Sequence, residues 1–216
     1  MKKILWFSLG ILSLFFSFYP LKYFLADGPI LLLRSKSVEL LASYAYNFSF
    51  YMHITFGGIA LMIGWLQFNK AFREKYTRLH RNIGKVYIGS VLMSGPFGFY
   101  IAFFATGGLS PMLGFSIGAL LWITITYLAY DKIRKGDIEA HKNLMLYSYA
   151  GTFGAVTLRL WLPLLILLMG SFVEAYRIVA WLSWLPNVLI IYLVINWNSL
   201  PIIRQKRPSL AEQKSV

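Results

Sequence analysis

The sequence contains no cysteine, which excludes disulfide bonds, thiolate metal sites and cysteine nucleophiles. Acidic residues are scarce, with 8 Asp and Glu against 21 Lys and Arg, and none of them falls within a long apolar run. A hydrolase that uses a carboxylate base inside a membrane is therefore not expected, and we assign no catalytic residue. Charged residues make up 13% of the chain, well below the roughly 25% that is usual for soluble domains.

Apolar residues take the place of charge, at 58% of the chain, and they are concentrated in long runs. A helix needs about 20 apolar residues to cross a bilayer, so each run predicts one transmembrane helix. The predicted fold is an all-α integral membrane bundle of about six transmembrane helices, a single domain over residues 1–216 with a tail at 198–216. The predicted spans are Ile4–Phe24, Phe48–Phe68, Ile83–Thr106, Met112–Tyr130, Leu144–Gly170 and Ile178–Trp197.

Lysine and arginine cluster after the second, fourth and sixth of these runs. Because short cytoplasmic loops of membrane proteins are enriched in these residues, the pattern predicts a multi-pass protein with both termini and the tail on the cytoplasmic side. Topology and contact with anionic lipid headgroups then explain the formal net charge of +13, and no nucleic-acid partner is expected.

The region before the second span holds two further features. The first run follows Met1-Lys2-Lys3 and no clean cleavage site comes after it, so a retained first helix is favoured over a signal peptide. Residues Ile30–Tyr46 are apolar in part but charged, which predicts an amphipathic stretch on the outer surface.

Two histidines, His80 and His141, are each predicted in the first turn of a helix, behind the candidate N-caps Thr77 and Asp137. The two helices run in the same direction, so both imidazoles lie at equal depth near the inner surface. This arrangement would suit the two axial ligands of a b-type haem iron, with Arg81 pairing a propionate. The alternative is that both histidines are interfacial residues that hydrogen-bond loops or lipid phosphates.

His53 and Arg159 are predicted in the outer half of the bundle, far from the other histidines. Ionisable side chains at membrane depth are costly and are therefore candidates for function. Arg159 would contact an anion, a quinone oxygen or a propionate, or else be satisfied by hydrogen bonds to neighbouring helices. Polar positions at helical spacing complete the candidate cofactor-binding set, which is His80, His141, His53, Arg159, Gln67, Arg81 and Tyr87.

These residues belong to a wider pattern. It comprises His53 with Gly57, Gln67-Phe68, His80-Arg81 with Gly84 and Tyr87, Trp122, His141, Ser148-Tyr149-Ala150, Leu158-Arg159 and Trp184-Leu185-Pro186-Asn187. From Tyr51 to Asn187 the chain resembles the domain of unknown function 2306 family, uncharacterised bacterial multipass membrane proteins. The resemblance implies a bacterial cytoplasmic membrane location and a membrane fold, and the family has no established activity, substrate or ligand. A looser similarity is to cytochrome b561-like and ferric-reductase-like proteins, in which histidines on parallel helices ligate haem.

The leading hypothesis is a membrane redox component that binds haem b or exchanges electrons with a quinone or a redox partner protein. The first alternative is a small transporter or sensor for protons or a small anion that uses His53 and Arg159. Against transport, the sequence shows only a faint internal repeat and no broken helix. The second alternative is a structural membrane subunit without a cofactor.

Overall fold

Every regular element in the part of the chain that the structure describes is a helix, which confirms the all-α prediction. The structure is a computed structural model, and it describes residues 2–196. Two short 3₁₀ turns in this range, Leu31–Ser35 and Trp65–Phe68, lie between the α-helices. The α-helices are α1 Lys2–Ser17, α2 Leu21–Phe24, α3 Val38–Ala42, α4 Tyr44–Gly64, α5 Lys70–Lys75, α6 Thr77–Ala102, α7 Leu109–Arg134, α8 Ile138–Met169, α9 Phe172–Leu182 and α10 Leu185–Asn196.

Five stretches of residues 2–196 are long and apolar enough to cross a bilayer, so the chain is a helical membrane protein. Each overlaps a predicted span, and the ends differ by a few residues because hydropathy alone does not set where a helix stops. Trp197 and the predicted tail at 198–216 lie outside the described residues. The five stretches are Trp6–Phe24, Tyr44–Phe68, Leu109–Arg134, Ile138–Met169 and Phe172–Asn196.

Helix α6 coincides with the predicted span Ile83–Thr106, but it is not among the five. It is 26 residues long, which is ample, yet its first turns are basic and its middle is rich in glycine and serine. Four of those small residues, Ser90, Ser94, Gly95 and Gly98, are buried, because α6 packs between α4 and α7. A helix that is covered by neighbours needs less apolar surface than one that faces lipid, and small residues let the helix backbones approach closely.

Consecutive long helices are neighbours in the bundle: α4 packs on α6, α6 on α7, and α7 on α8. Helix α1 packs against α4 and α8, where the hydroxyls of Ser13 and Tyr149 lie 2.7 Å apart. We call the end of the bundle formed by residues 65–85 and 129–145 the basic face. The opposite end, formed by residues 18–43 and 103–108, is the far face.

The last stretch is broken, contrary to the expectation of unbroken helices. Helix α9 ends at Leu182 and α10 begins at Leu185. The carbonyl oxygen of Ser183, freed at the break, accepts hydrogen bonds from the hydroxyl of Thr157 and from Nδ2 of Asn187. Within a membrane such freed backbone groups must find partners inside the protein, and these two side chains supply them.

Three further predictions concern local structure. Residues Ile30–Tyr46 do not form a span of their own, as expected, and they contain a 3₁₀ turn, the short helix α3 and the start of α4 at Tyr44. Asp137 does cap α8, since it accepts from the backbone N–H of Ala140. Thr77 does not cap α6, because it is already within the helix and its hydroxyl donates to the carbonyl of Arg73.

Candidate functional site

The guanidinium of Arg159 lies inside the bundle, in the half nearer the far face. Its Nη1 donates to the carbonyl oxygen of Ala155, 2.6 Å away in the same helix. Its Cζ lies 4.4 Å from the centroid of the Tyr19 ring, and its buried Nε has no hydrogen-bond partner among the described residues. The ion pairs within residues 2–196 do not include Arg159. Its charge therefore faces only neutral groups, which is costly at this depth.

His53 projects from α4 toward α6. Its Nδ1 is 3.1 Å from the carbonyl oxygen of Ser94, and the Ser94 hydroxyl donates to the carbonyl of His53 at 2.9 Å. The Ser94 hydroxyl is also 3.0 Å from Nδ1, but its proton is directed to the His53 carbonyl. A carbonyl can only accept, so we assign the proton of the neutral ring to Nδ1, which leaves Nε2 as an acceptor or base. A Cβ on Gly98 would lie 2.6 Å from this ring, so the glycine makes room for it. His53 and Arg159 lie in the same half of the bundle, within electrostatic range of each other.

An apolar groove lies on the surface of α1 and the turn that follows it. It has a volume of about 310 Å³ and is lined by Phe15, Phe16, Phe18, Tyr19 and Lys22. The ring of Tyr19 both lines the groove and contacts Arg159, and Nζ of Lys22 lies 5.1 Å from the centroid of the same ring. Lys22 is thus part of the groove, and Arg159 adjoins it through the Tyr19 ring.

The basic face brings a second group of predicted residues together. His141 Nδ1 is 2.7 Å from the carbonyl oxygen of Ala129, so it donates there and its Nε2 is left free. His80 lies within electrostatic range of His141, and its own Nδ1 is buried without a partner among the described residues. Gln67 is only 8% exposed, and its Nε2 is likewise unpartnered in that part of the chain.

Electrostatics at the basic face disfavour the charged form of His80. Burial lowers the pKa of His80, and the nearby groups Arg73, His141 and Arg81 lower it further. Arg81 itself is exposed. The neutral His80 ring therefore sits among cationic neighbours.

Tyr87 belongs to neither site. Its side chain is fully buried, and its hydroxyl lies 2.8 Å from both the Ser148 and the Thr152 hydroxyls. Thr126 bonds to the same Ser148 hydroxyl, and Trp122 Nε1 donates to Thr152 at 3.0 Å. This network is closed on itself and joins α6, α7 and α8, which indicates a structural role.

A haem between His80 and His141 stays a prediction. The free Nε2 of His141 is suited to a metal, and its Nδ1 partner is the kind that orients such a ligand. Phe68 and Tyr149 have ring centroids 5.2 Å apart and Tyr87 is buried beside them, about two helical turns deeper than the two histidines. A Cβ on Gly64 would lie 2.6 Å from Tyr149, so this core is tightly packed. A haem held by His80 and His141 would therefore lie at the ends of the two helices, on the basic-face side of this core.

A metal site formed by side chains alone also stays a prediction. Among residues 2–196 no group of three or more His, Asp and Glu side chains is placed to hold an ion. The predicted pair His80 and His141 would offer two ligands only, and His53 is in the other site.

We call the group of side chains around Arg159 and His53 the far-half site. Tyr19 and Tyr23 also belong to this site and were not predicted from the sequence. Tyr19 stacks on Arg159, and Tyr23 lies within range of its charge. Both belong to the segment around α2, about 140 positions earlier in the chain, so the contact depends on how α1 packs on the bundle. Helical periodicity relates residues of one helix and gives no signal for such a contact.

The chain is thus a multi-pass helical membrane protein with two clusters of polar side chains. The family model described as predicted membrane protein (DUF2306) matches residues 50–195. The protein belongs to this family, as the resemblance noted from the sequence implied. No curated protein and no solved structure matches the chain.

Proposed function

We propose that this protein binds a monoanionic amphiphile, with the anionic group beside Arg159 and His53 and the chain of the ligand in the groove along α1. The observation that carries the proposal is the buried, unpaired guanidinium of Arg159. A carboxylate or a phosphodiester would accept from its free Nε and neutralise its charge. Binding of this kind corresponds to a membrane sensor for an anion.

The groove explains why the ligand would be amphiphilic. Three of its five lining residues, Phe15, Phe16 and Phe18, offer only apolar surface to a ligand, while Lys22 adds a second cation near the head. A hydrocarbon chain buried there gains about 0.8 kcal/mol per CH₂ group, although part of that gain is already available in lipid.

The middle of the bundle supports binding over conduction. A Cβ on Gly57 would lie 3.3 Å from the Ser94 hydroxyl, and one on Gly64 would lie 2.6 Å from Tyr149. Tyr149 is 4% exposed and closes the space toward the basic face. A ligand at Arg159 would therefore leave by the side from which it came.

Binding can be measured in nanodiscs of neutral phosphatidylcholine, with oleate as the ligand and oleyl alcohol as its uncharged match. Oleate should bind saturably and oleyl alcohol should not. Arg159→Met should weaken oleate binding by about tenfold or more, because a charge-assisted hydrogen bond is lost. Arg177→Gln, which removes an exposed cation near the far face, should change it less than about twofold.

Equal binding of oleyl alcohol, or an unchanged affinity for oleate in Arg159→Met, would overturn the proposal. A quinone carbonyl would accept from the same donors. Saturable binding of a short-chain quinone that is lost in Arg159→Met, without binding of oleate, would support the redox hypothesis instead.

We also propose six spans, with α6 as the additional one, and with the basic face and both termini on the cytoplasmic side. The supports are the length of α6, its place between α4 and α7, and the clustering of lysine and arginine at one end. The absence of cysteine makes the test direct. A cysteine at the exposed position Asp27 should react with an impermeant maleimide in spheroplasts, and one at the exposed position Lys75 should react only after permeabilisation. The reverse result would contradict the orientation.

A further inference from the structure

Two buried polar groups at the basic face lack a hydrogen-bond partner. The Nε2 of Gln67 and the Nδ1 of His80 are both enclosed and unpartnered among the described residues. An amide nitrogen can only donate, and the histidine nitrogen donates in its Nδ1–H form. Buried donors of this kind are usually satisfied, so a partner beyond the described residues is expected for both.

The two groups lie along one side of α6. The amide oxygen of Gln67 is 3.4 Å from where a Cβ on Gly84 would stand, so the Gln67 side chain lies against Gly84. Gly84 and His80 are one helical turn apart on the same face. Gly84 has no side chain, so Gln67 packs directly against α6 beside the 3₁₀ turn at Trp65–Phe68.

The charges around His80 are positive. Arg73 on α5 and Arg81 on α6 act on it, and so does His141 on α8, while no carboxylate does so among the described residues. Three of the four acids at this end of the described chain are paired with lysines: Glu74 with Lys70, Asp131 with Lys135, and Asp137 with Lys132. The fourth, Glu139 in the first turn of α8, is exposed and does not act on His80. The junction between the 3₁₀ turn and α6 therefore offers two unpartnered donors in a positively charged setting.

We propose that this junction binds a phosphate group, with Gln67 and His80 donating to its oxygens and Arg73 and Arg81 balancing its charge. A phosphate ester is an acceptor with several oxygens, and basic pockets between helices at the membrane surface bind lipid headgroups. The junction lies at a helix end of the bundle, where headgroups are found. The same chemistry would recognise free phosphate.

The test uses the full-length protein with Arg159→Met as its background, so that binding at the far-half site does not contribute. Delipidated protein in neutral detergent is titrated with phosphatidylglycerol, phosphatidylcholine or inorganic phosphate, and bound ligand is counted by native mass spectrometry. Phosphatidylglycerol should bind at least about tenfold more tightly than phosphatidylcholine. Gln67→Glu, which keeps the shape but adds a negative charge, should weaken this binding by about tenfold or more.

Lys135→Gln is the matched control, since it removes an exposed basic residue of the same face that is already paired with Asp131. It should change binding less than about twofold. Equal losses in Gln67→Glu and Lys135→Gln, or none in either, would overturn the proposal. His80→Phe provides a second variant if Gln67→Glu does not fold. Saturable inorganic phosphate binding that depends on Gln67, with no preference between the lipids, would assign the junction to soluble phosphate.

Discussion

Tyr87 separates two interpretations of the polar residues in this bundle. The sequence places it with the cofactor-binding candidates, whereas in the structure its hydroxyl bonds to Ser148 and Thr152, each at 2.8 Å. Tyr87→Phe removes this hydroxyl and little else. If the structural role is right, the substitution lowers stability and leaves ligand binding unchanged.

The expected magnitude follows from what the neighbours retain. Ser148 keeps Thr126, 2.6 Å away, and Thr152 keeps the N–H of Trp122 at 3.0 Å. Both hydroxyls therefore keep a hydrogen-bond partner in Tyr87→Phe. The expected loss in the free energy of unfolding is that of the two lost hydrogen bonds, without the added penalty of a buried polar group that has no partner. Hydrogen bonds within membranes are worth about 0.6 kcal/mol on average, so two of them give a loss of about 1 kcal/mol.

The loss is measured as the free energy of unfolding in mixed micelles titrated with dodecyl sulfate. Tyr127→Phe serves as the control, because Tyr127 is 57% exposed, and it should leave the free energy unchanged. An unchanged free energy in Tyr87→Phe would refute the network. A loss of oleate binding at full stability would return Tyr87 to the ligand-binding residues.

Three further outcomes are expected. Gly64→Ala should destabilise the protein by about 1–3 kcal/mol, because the added Cβ would lie 2.6 Å from Tyr149. Gly89→Ala is the control: it adds a methyl group in open space and should be neutral or stabilising. Equal effects of the two substitutions would contradict the packing around Gly64. Folding lowers the pKa of His80, so the unfolded chain binds more protons than the folded chain just below pH 6.5. The free energy of unfolding should therefore fall as the pH falls through this window. His80→Gln should make the free energy of unfolding less dependent on pH there. Protein purified from cells supplied with a haem precursor should show no Soret band in its visible spectrum; a band that disappears in His141→Ala would restore the haem hypothesis.

The sequence was sufficient for the helical membrane fold because several long apolar runs in series are typical of membrane-spanning helices and of little else. It failed where tertiary contacts decide the local structure. The break at Ser183 has a local signal in Pro186, which lacks an N–H and is favoured in the first turn of a helix, but the partner that Thr157 supplies from α8 could not be predicted from that signal. Helix α6 shows the same limit. Its serine residues lower the hydropathy of the segment, yet they are buried against neighbouring helices, which the sequence does not show.

The candidate residues were found because ionisable groups are rare in apolar runs. Their grouping was only partly predictable: depth along the helices separates His53 from His80 and His141, whereas the stacking of Tyr19 on Arg159 depends on where α1 packs. The haem prediction paired two histidines by depth alone, and helical periodicity does not show that Phe68 packs on Tyr149 about two helical turns deeper than His141.

The central claim is that Arg159 is retained as an unpaired cation to receive an anion. The most direct measurement compares the unfolding free energy of the natural protein and of Arg159→Met, each with and without oleate. Without ligand, Arg159→Met should be more stable by about 1 kcal/mol or more, because an uncompensated buried charge is removed, and oleate should stabilise only the natural protein. A less stable Arg159→Met that oleate still stabilises would contradict the claim.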